Sequence, residues 1–152
     1  MLNIVDFLHK GKSHLSVALG MLAIAAGRSV RFVTAAQLVL ELKRALGEGR
    51  LDELYADYGR DSVLIIDEMG YIPLDAEGGR LLFQVMSNCY ERQSMIITTN
   101  IEFSKWGTVL ADEKLASALV DRVAHHGRLV EFGGKSRRVT DSLMLGNRKG
   151  RQ

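Results

Sequence analysis

Ser62-Val63-Leu64-Ile65-Ile66-Asp67-Glu68 is the stretch whose reading decides the fold. Four apolar residues follow one another with no polar alternation, so neither face of this strand can be left wet. A strand apolar on both faces belongs in the middle of a parallel sheet covered by helices on each side. Two carboxylates then end the run abruptly. They stand at the carboxyl end of the strand, the edge at which open α/β sheets take their ligands.

Working outward, the same design recurs. Ser94-Met95-Ile96-Ile97-Thr98-Thr99 is a second buried strand with Asn100 at its carboxyl end, and Ser29-Val30-Arg31-Phe32-Val33-Thr34 is a third. Shorter β-branched runs at 2–8 and 128–132 bring the expected number of strands to five. Helical patterns fill the intervals at 12–26, 35–46, 51–58, 76–92 and 112–125. Gly27 suits a left-handed cap after the first helix, Thr34 can cap the second, and Gly47 and Gly49 stop it. A turn at Pro73-Leu74-Asp75 precedes the helix that begins near Ala76. The alternation predicts a three-layer α/β/α architecture around a mainly parallel five-stranded sheet.

At 152 residues with 47% hydrophobic content, the chain can bury one sizeable core and is expected to form a single domain. No apolar run approaches the roughly 20 residues needed to span a bilayer. The amino terminus lacks the basic, apolar and small-residue succession of a secretory signal, so the cytoplasm is the expected compartment and no membrane association is expected. Cys89 is the only cysteine, which excludes an internal disulfide, and its apolar-periodic setting reads as a small buried hydrophobe. Net charge is +2, but it is unevenly spread: Lys135 to Gln152 holds six basic residues and one acidic. This segment, 135–152, is set apart from a core at 1–134. It reads either as a contact for a phosphate backbone or as a solvated carboxyl terminus.

Polar residues at strand ends carry the candidate chemistry. Asp67 can hold Mg²⁺ directly or through water while Glu68, pointing elsewhere, polarises an attacking water. The bland alternative is a buried strand that happens to end in an acid. Gly11-Lys12-Ser13 opens a helix as the tail of the loop G-x-x-x-x-G-K-[ST] does. There the lysine reaches β- and γ-phosphates, the hydroxyl ligates Mg²⁺, and the helix N-terminus offers N–H donors. Here the expected first glycine is Asp6, and Phe7-Leu8-His9-Lys10 fill the interior of the loop, so the motif is incomplete. Asn100 can orient the water that attacks a γ-phosphate, or serve only as a turn residue. Arg122 reads as a surface salt bridge or as an arginine finger reaching a neighbouring subunit. His125 and His126 have no partner at metal-ligand spacing, and a zinc site is rejected.

The order and spacing of these features, with Thr34-Ala35-Ala36-Gln37-Leu38, Asp67-Glu68-Met69-Gly70-Tyr71-Ile72-Pro73-Leu74, Tyr90-Glu91-Arg92, Ile97-Thr98-Thr99-Asn100, Phe103-Ser104-Lys105-Trp106-Gly107 and Asp121-Arg122-Val123-Ala124-His125-His126, closely resemble the IstB-like ATP-binding family. The resemblance runs from Gly11 to about Arg138. It implies a P-loop NTPase with an AAA+ core: an ATPase that assembles on double-stranded DNA and assists the transposase of an insertion sequence, as a homo-oligomer joined through the ATP site. The cofactors it implies are ATP and Mg²⁺. By the same resemblance Gly11, Lys12 and Ser13 match the phosphate loop, Ser13 and Asp67 the Mg²⁺ site, Glu68 the catalytic base, Asn100 the sensor and Arg122 the finger. Arg137 and Arg138 fall in the family's basic carboxyl-terminal region.

Two departures bear on function. The resemblance leads one to expect an amino-terminal portion before the phosphate loop and a strand with a glycine-rich loop at 2–10. This sequence matches neither, the pattern expected of a truncated or frame-shifted copy. The principal expectation is Mg²⁺-ATP hydrolysis that controls assembly on DNA and contact with the transposase. The alternatives are helicase loading, the work of related DnaC-type proteins, and a non-catalytic remnant of the transposition ATPase.

Overall fold

The computed structural model describes residues 11–90 and 92–130. Its sheet has three parallel strands, β1 (Val30–Thr34), β2 (Val63–Met69) and β3 (Ser94–Thr99), in the order β1-β2-β3. The strand that is apolar on both faces is the central one. Side chains alternate across a strand. Val63 and Ile65 therefore join Ile96 under one layer of helix, while Leu64 and Ile66 join Met95 and Ile97 under the other.

Helix α1 (Lys12–Ala25) covers the first face through Leu15, Leu19 and Ala23. The second face carries α2 (Ala35–Gly47), α4 (Ala76–Cys89), α5 (Trp106–Leu110) and α6 (Glu113–His126), with α3 (Leu51–Tyr58) packed beside α2. Leu38, Leu42, Leu64, Ile66, Leu82 and Ile97 are almost completely buried there. Each such aliphatic side chain stabilises the fold by about 1.5–3 kcal/mol relative to exposure.

Local signals place the helices. At α2 the Thr34 hydroxyl accepts the Gln37 N–H at 3.2 Å while the Gln37 side chain accepts the Thr34 N–H at 3.3 Å, a reciprocal cap. Asp75 caps α4 by accepting the Gly78 N–H at 2.8 Å, and Asp112 caps α6 by accepting the N–H groups of Lys114 and Leu115. Gly79 lets α4 and α5 approach closely, because a Cβ there would lie 2.0 Å from the Leu110 carbonyl oxygen.

Among the described residues, three of the five expected strands are found. The run at 2–8 lies outside the described residues. Of 128–132, residues 128–130 are described and carry no strand, and Val130 packs against the cluster of Val63, Ile65 and Ile96. Helix α4 stops at Cys89, short of the expected end at 92, because Tyr90 turns to an extended ψ of 133°. A 3-10 turn at Phe103–Lys105 and helix α5 were not anticipated, although Trp106, Val109 and Leu110 have helical spacing and are all buried. Cys89 is buried as expected, and burial pushes its thiol pKa up to about 11. Among the described residues no helix is long and apolar enough to cross a membrane.

Candidate functional site

Face parity explains how the site assembles. Asp67 falls on the same face of β2 as Val63 and Ile65, which is the face that α1 covers. The start of α1 therefore meets the end of β2. Ser13 Oγ lies 2.9 and 3.1 Å from the two carboxylate oxygens of Asp67, which is itself buried. One residue earlier, the Lys12 ammonium donates to the Thr99 carbonyl at the end of β3. Gly11, at φ 112°, supplies the left-handed backbone that turns the chain into α1. Among the described residues no side chain is seen to cap the first turn of this helix and no acidic residue lies in it, so its N–H groups present the positive end of the helix dipole at this edge.

Glu68 departs from the strand. Regular alternation would send it into the core under α2 and α4, but its φ is 58°, and the pairing register shifts between Ile66 and Met69. This bulge turns Glu68 outward, leaving it exposed between buried Asp67 and buried Met69. A left-handed conformation costs an L-residue about 1–2 kcal/mol, so neighbouring bonds must hold it. The Glu68 N–H donates to Thr98 Oγ1 at 3.0 Å. The same Thr98 hydroxyl donates to Asp67 Oδ1, and beside it the Thr99 hydroxyl donates to the Met69 carbonyl at 2.7 Å.

Asn100 is exposed immediately after β3, at the same end of the sheet. The structure thus brings Gly11, Lys12, Ser13, Asp67, Glu68 and Asn100 to one edge. Arg122 lies elsewhere. From α6 it donates to Ser87 of α4, and its guanidinium sits 5.1 Å from the centre of the Phe83 ring and 5.8 Å from that of Tyr90. The loop of 6–10 and the basic segment at 135–152 lie outside the described residues.

A family model described as IstB-like ATP binding protein matches residues 8–144. The chain belongs to that family. The match extends a few residues beyond both ends of the resemblance seen in the motifs. Two IstB-like relatives illustrate it. A protein of Bacillus thuringiensis subsp. berliner, named for insertion sequence IS232 and ATP binding, is 43% identical over 137 residues, covering 90% of this chain and 55% of its own length. Its counterpart for insertion sequence IS21 in Pseudomonas aeruginosa is 37% identical over 136 residues, covering 90% and 51%. The chain therefore spans about half the length of the curated relatives it matches. Among solved structures, the DnaC helicase loader superposes with a TM-score of 0.70 at 24% identity, covering 87% of this chain and 77% of that one. AMPPCP-bound DnaA from Aquifex aeolicus gives 0.69 at 21% identity, covering 86% and 39%. These likenesses establish the fold as the AAA+ P-loop architecture.

Mg²⁺ prefers oxygen donors in octahedral geometry at about 2.0–2.1 Å, which places adjacent ligand oxygens about 2.9 Å apart. Ser13 Oγ and Asp67 Oδ2 already stand 2.9 Å apart. The open first turn of α1 and the Lys12 ammonium supply donors and positive charge suited to a phosphate group. The residues present fit both groups. Thr98 is a site residue that the sequence motifs do not single out. Its signal was the matching of two apolar runs, since Ile66 pairs with Ile97 and so sets Asp67 beside Thr98.

Proposed function

We propose that this chain binds Mg²⁺-ATP at the carboxyl edge of its sheet and hydrolyses the γ-phosphate, and that nucleotide state governs its work as a helper ATPase in insertion-sequence transposition. The observation that carries the reading is the Ser13–Asp67 contact, with Glu68 turned outward beside it. A pair suited to hold a metal and an exposed carboxylate thereby fall on adjacent residues, Asp67 and Glu68, that point apart, which keeps their roles apart.

In this mechanism Lys12 and the first-turn N–H groups of α1 bind the β- and γ-phosphate oxygens, while Ser13 and Asp67 hold Mg²⁺. The chemistry that Mg²⁺ supplies when bound is neutralisation of charge on those oxygens. Glu68 accepts a proton from the attacking water as its oxygen bonds to the γ-phosphorus and the bond to the β-phosphate oxygen breaks, releasing ADP and phosphate. The Asn100 amide orients that water. Arg122, which rests on Ser87, Phe83 and Tyr90 in the single chain, leaves these contacts in a homo-oligomer to act on the nucleotide of an adjacent subunit, compensating the charge that builds up in the transition state. Double-stranded DNA and the transposase of the same element are the partners, with the basic residues from Lys135 onward on the phosphate backbone. The names of the relatives, which join ATP binding to insertion sequences, support this assignment.

Glu68→Gln tests it. The expected variant binds ATP as the parent does and loses turnover by about 10²- to 10⁴-fold, the usual contribution of a general base. Hydrolysis at the parental rate would remove Glu68 from that role.

A further inference from the structure

We infer that Thr98 is a positioning residue of this site, its hydroxyl tying the Asp67 carboxylate to the Glu68 backbone and so fixing the relative aim of the two acids. The inference rests on the Mg²⁺-ATP reading given above.

The bulge in β2 creates the need for such a group. Ladder pairing runs to Ile66 with Ile97 and resumes only at Met69 with Thr99, and within this gap the Glu68 N–H is taken by a side chain. A partly buried donor left unmade costs free energy, and a left-handed glutamate persists only where its surroundings over-determine it. Thr98 Oγ1 meets that donor at 3.0 Å. A hydroxyl has one hydrogen to give, and Thr98 gives it to Asp67 Oδ1. One oxygen atom thus reads both acids.

Strand packing does not explain the residue. Thr98 is 4% exposed on the face it shares with Ile96, where Val63 and Ile65 form the cluster. Valine would fill the same space with the same β-branched stiffness and no buried polar atom. What valine cannot do is donate to Asp67 or accept from Glu68. The Ser13 hydroxyl approaches Asp67 from the α1 side while Thr98 approaches from β3. The carboxylate is therefore held between a group at the nucleotide side and a group behind it. Outer hydrogen-bonding partners of this sort orient metal ligands, and losing one usually costs about ten- to a hundredfold in metal affinity or activity.

The test compares Thr98→Val and Thr98→Ser in the full chain, each first shown to unfold cooperatively. Three readouts are taken: exchange of the Glu68 amide by NMR, the Mg²⁺ concentration that half-saturates binding of a fluorescent ATP analogue, and kcat with KM for ATP. In Thr98→Val, the Glu68 amide is expected to exchange about tenfold faster or more. The Mg²⁺ midpoint rises and kcat falls, each by about ten- to a hundredfold, with KM for ATP changing by less than about threefold. Thr98→Ser, which keeps the hydroxyl and loses only a methyl, returns all three to within about threefold of the parent. A folded Thr98→Val with parental exchange and Mg²⁺ midpoint overturns the inference, as does a Thr98→Ser equally impaired, which would assign the effect to packing. Failure of the parent itself to bind the analogue with Mg²⁺ would instead overturn the nucleotide reading, and an exchange difference would then mark Thr98 as a staple between strands.

Discussion

Replacing Glu68 by glycine should stabilise the fold relative to replacing it by alanine. Both substitutions delete the exposed carboxylate, so they differ only in the backbone they leave. At φ 58° alanine keeps the left-handed penalty, about 1–2 kcal/mol for an L-residue, and glycine does not. Glycine gives back about 0.5–1 kcal/mol through the greater freedom of its unfolded chain. The balance favours Glu68→Gly over Glu68→Ala by about 0.5–1 kcal/mol. At an exposed position inside a regular helix, such as Arg80 of α4, the order reverses and glycine is worse by about 0.8–1 kcal/mol. Urea unfolding followed by circular dichroism, with equal m values, measures both pairs; in heat the gap at Glu68 corresponds to about 1–4 °C at this chain length. Alanine equal to or better than glycine at position 68 would refute the bulge, and with it the outward aim of Glu68. The more stable variant also lacks the proposed base, so the strain is retained at the expense of stability for the sake of the site.

Three further outcomes are expected. Gly79→Ala should destabilise the chain by about 1–3 kcal/mol or more, since its Cβ would lie 2.0 Å from the Leu110 carbonyl oxygen and backbone cannot yield cheaply; a gain in urea unfolding would contradict the α4–α5 packing. Arg31 donates to Asp57 at 2.7 Å and holds its carboxyl below the ordinary 3.8. That lowered folded pKa gives stability that is present above the ordinary value and is lost as pH falls through the folded one. The gap between parent and Asp57→Asn should therefore be steady above pH 3.8 and shrink below it, whereas a constant gap through the acid range would show that the pair is not linked to protons. Cys89 is fully buried, with its thiol pushed up to about 11, so a thiol reagent at neutral pH should react only as fast as the chain opens, accelerating with urea; rapid labelling of the native chain would refute its burial.

The parts of the fold legible in the sequence are those governed by short-range pattern. Val63 to Ile66 declared a central strand because four consecutive apolar residues leave no wet face, and Thr34 declared a helix start because its side chain can take an orphan N–H. The separation of Asp67 from Glu68 was also foreseeable, since neighbours on a strand point apart. The means were not: the bulge that throws Glu68 to solvent depends on hydroxyls from β3, a partner fixed only by register. Helix α5 escaped notice because it is five residues long and holds Gly107 and two β-branched residues, so its helical character comes from burying Trp106 and Leu110. Arg122 shows a different limit. An arginine on an amphipathic helix has the same pattern whether it faces another subunit or its own chain, and only the fold sets it against Ser87, Phe83 and Tyr90.

The central claim is a working nucleotide site at the start of α1, and the measurement that tests it most directly is titration of the full chain with a fluorescent ATP analogue, with and without Mg²⁺, beside Lys12→Ala. Saturable binding that requires Mg²⁺ and is lost in Lys12→Ala is the expected result. Binding indifferent to Mg²⁺ and to Lys12→Ala, or no binding by a parent chain that unfolds cooperatively, would contradict it.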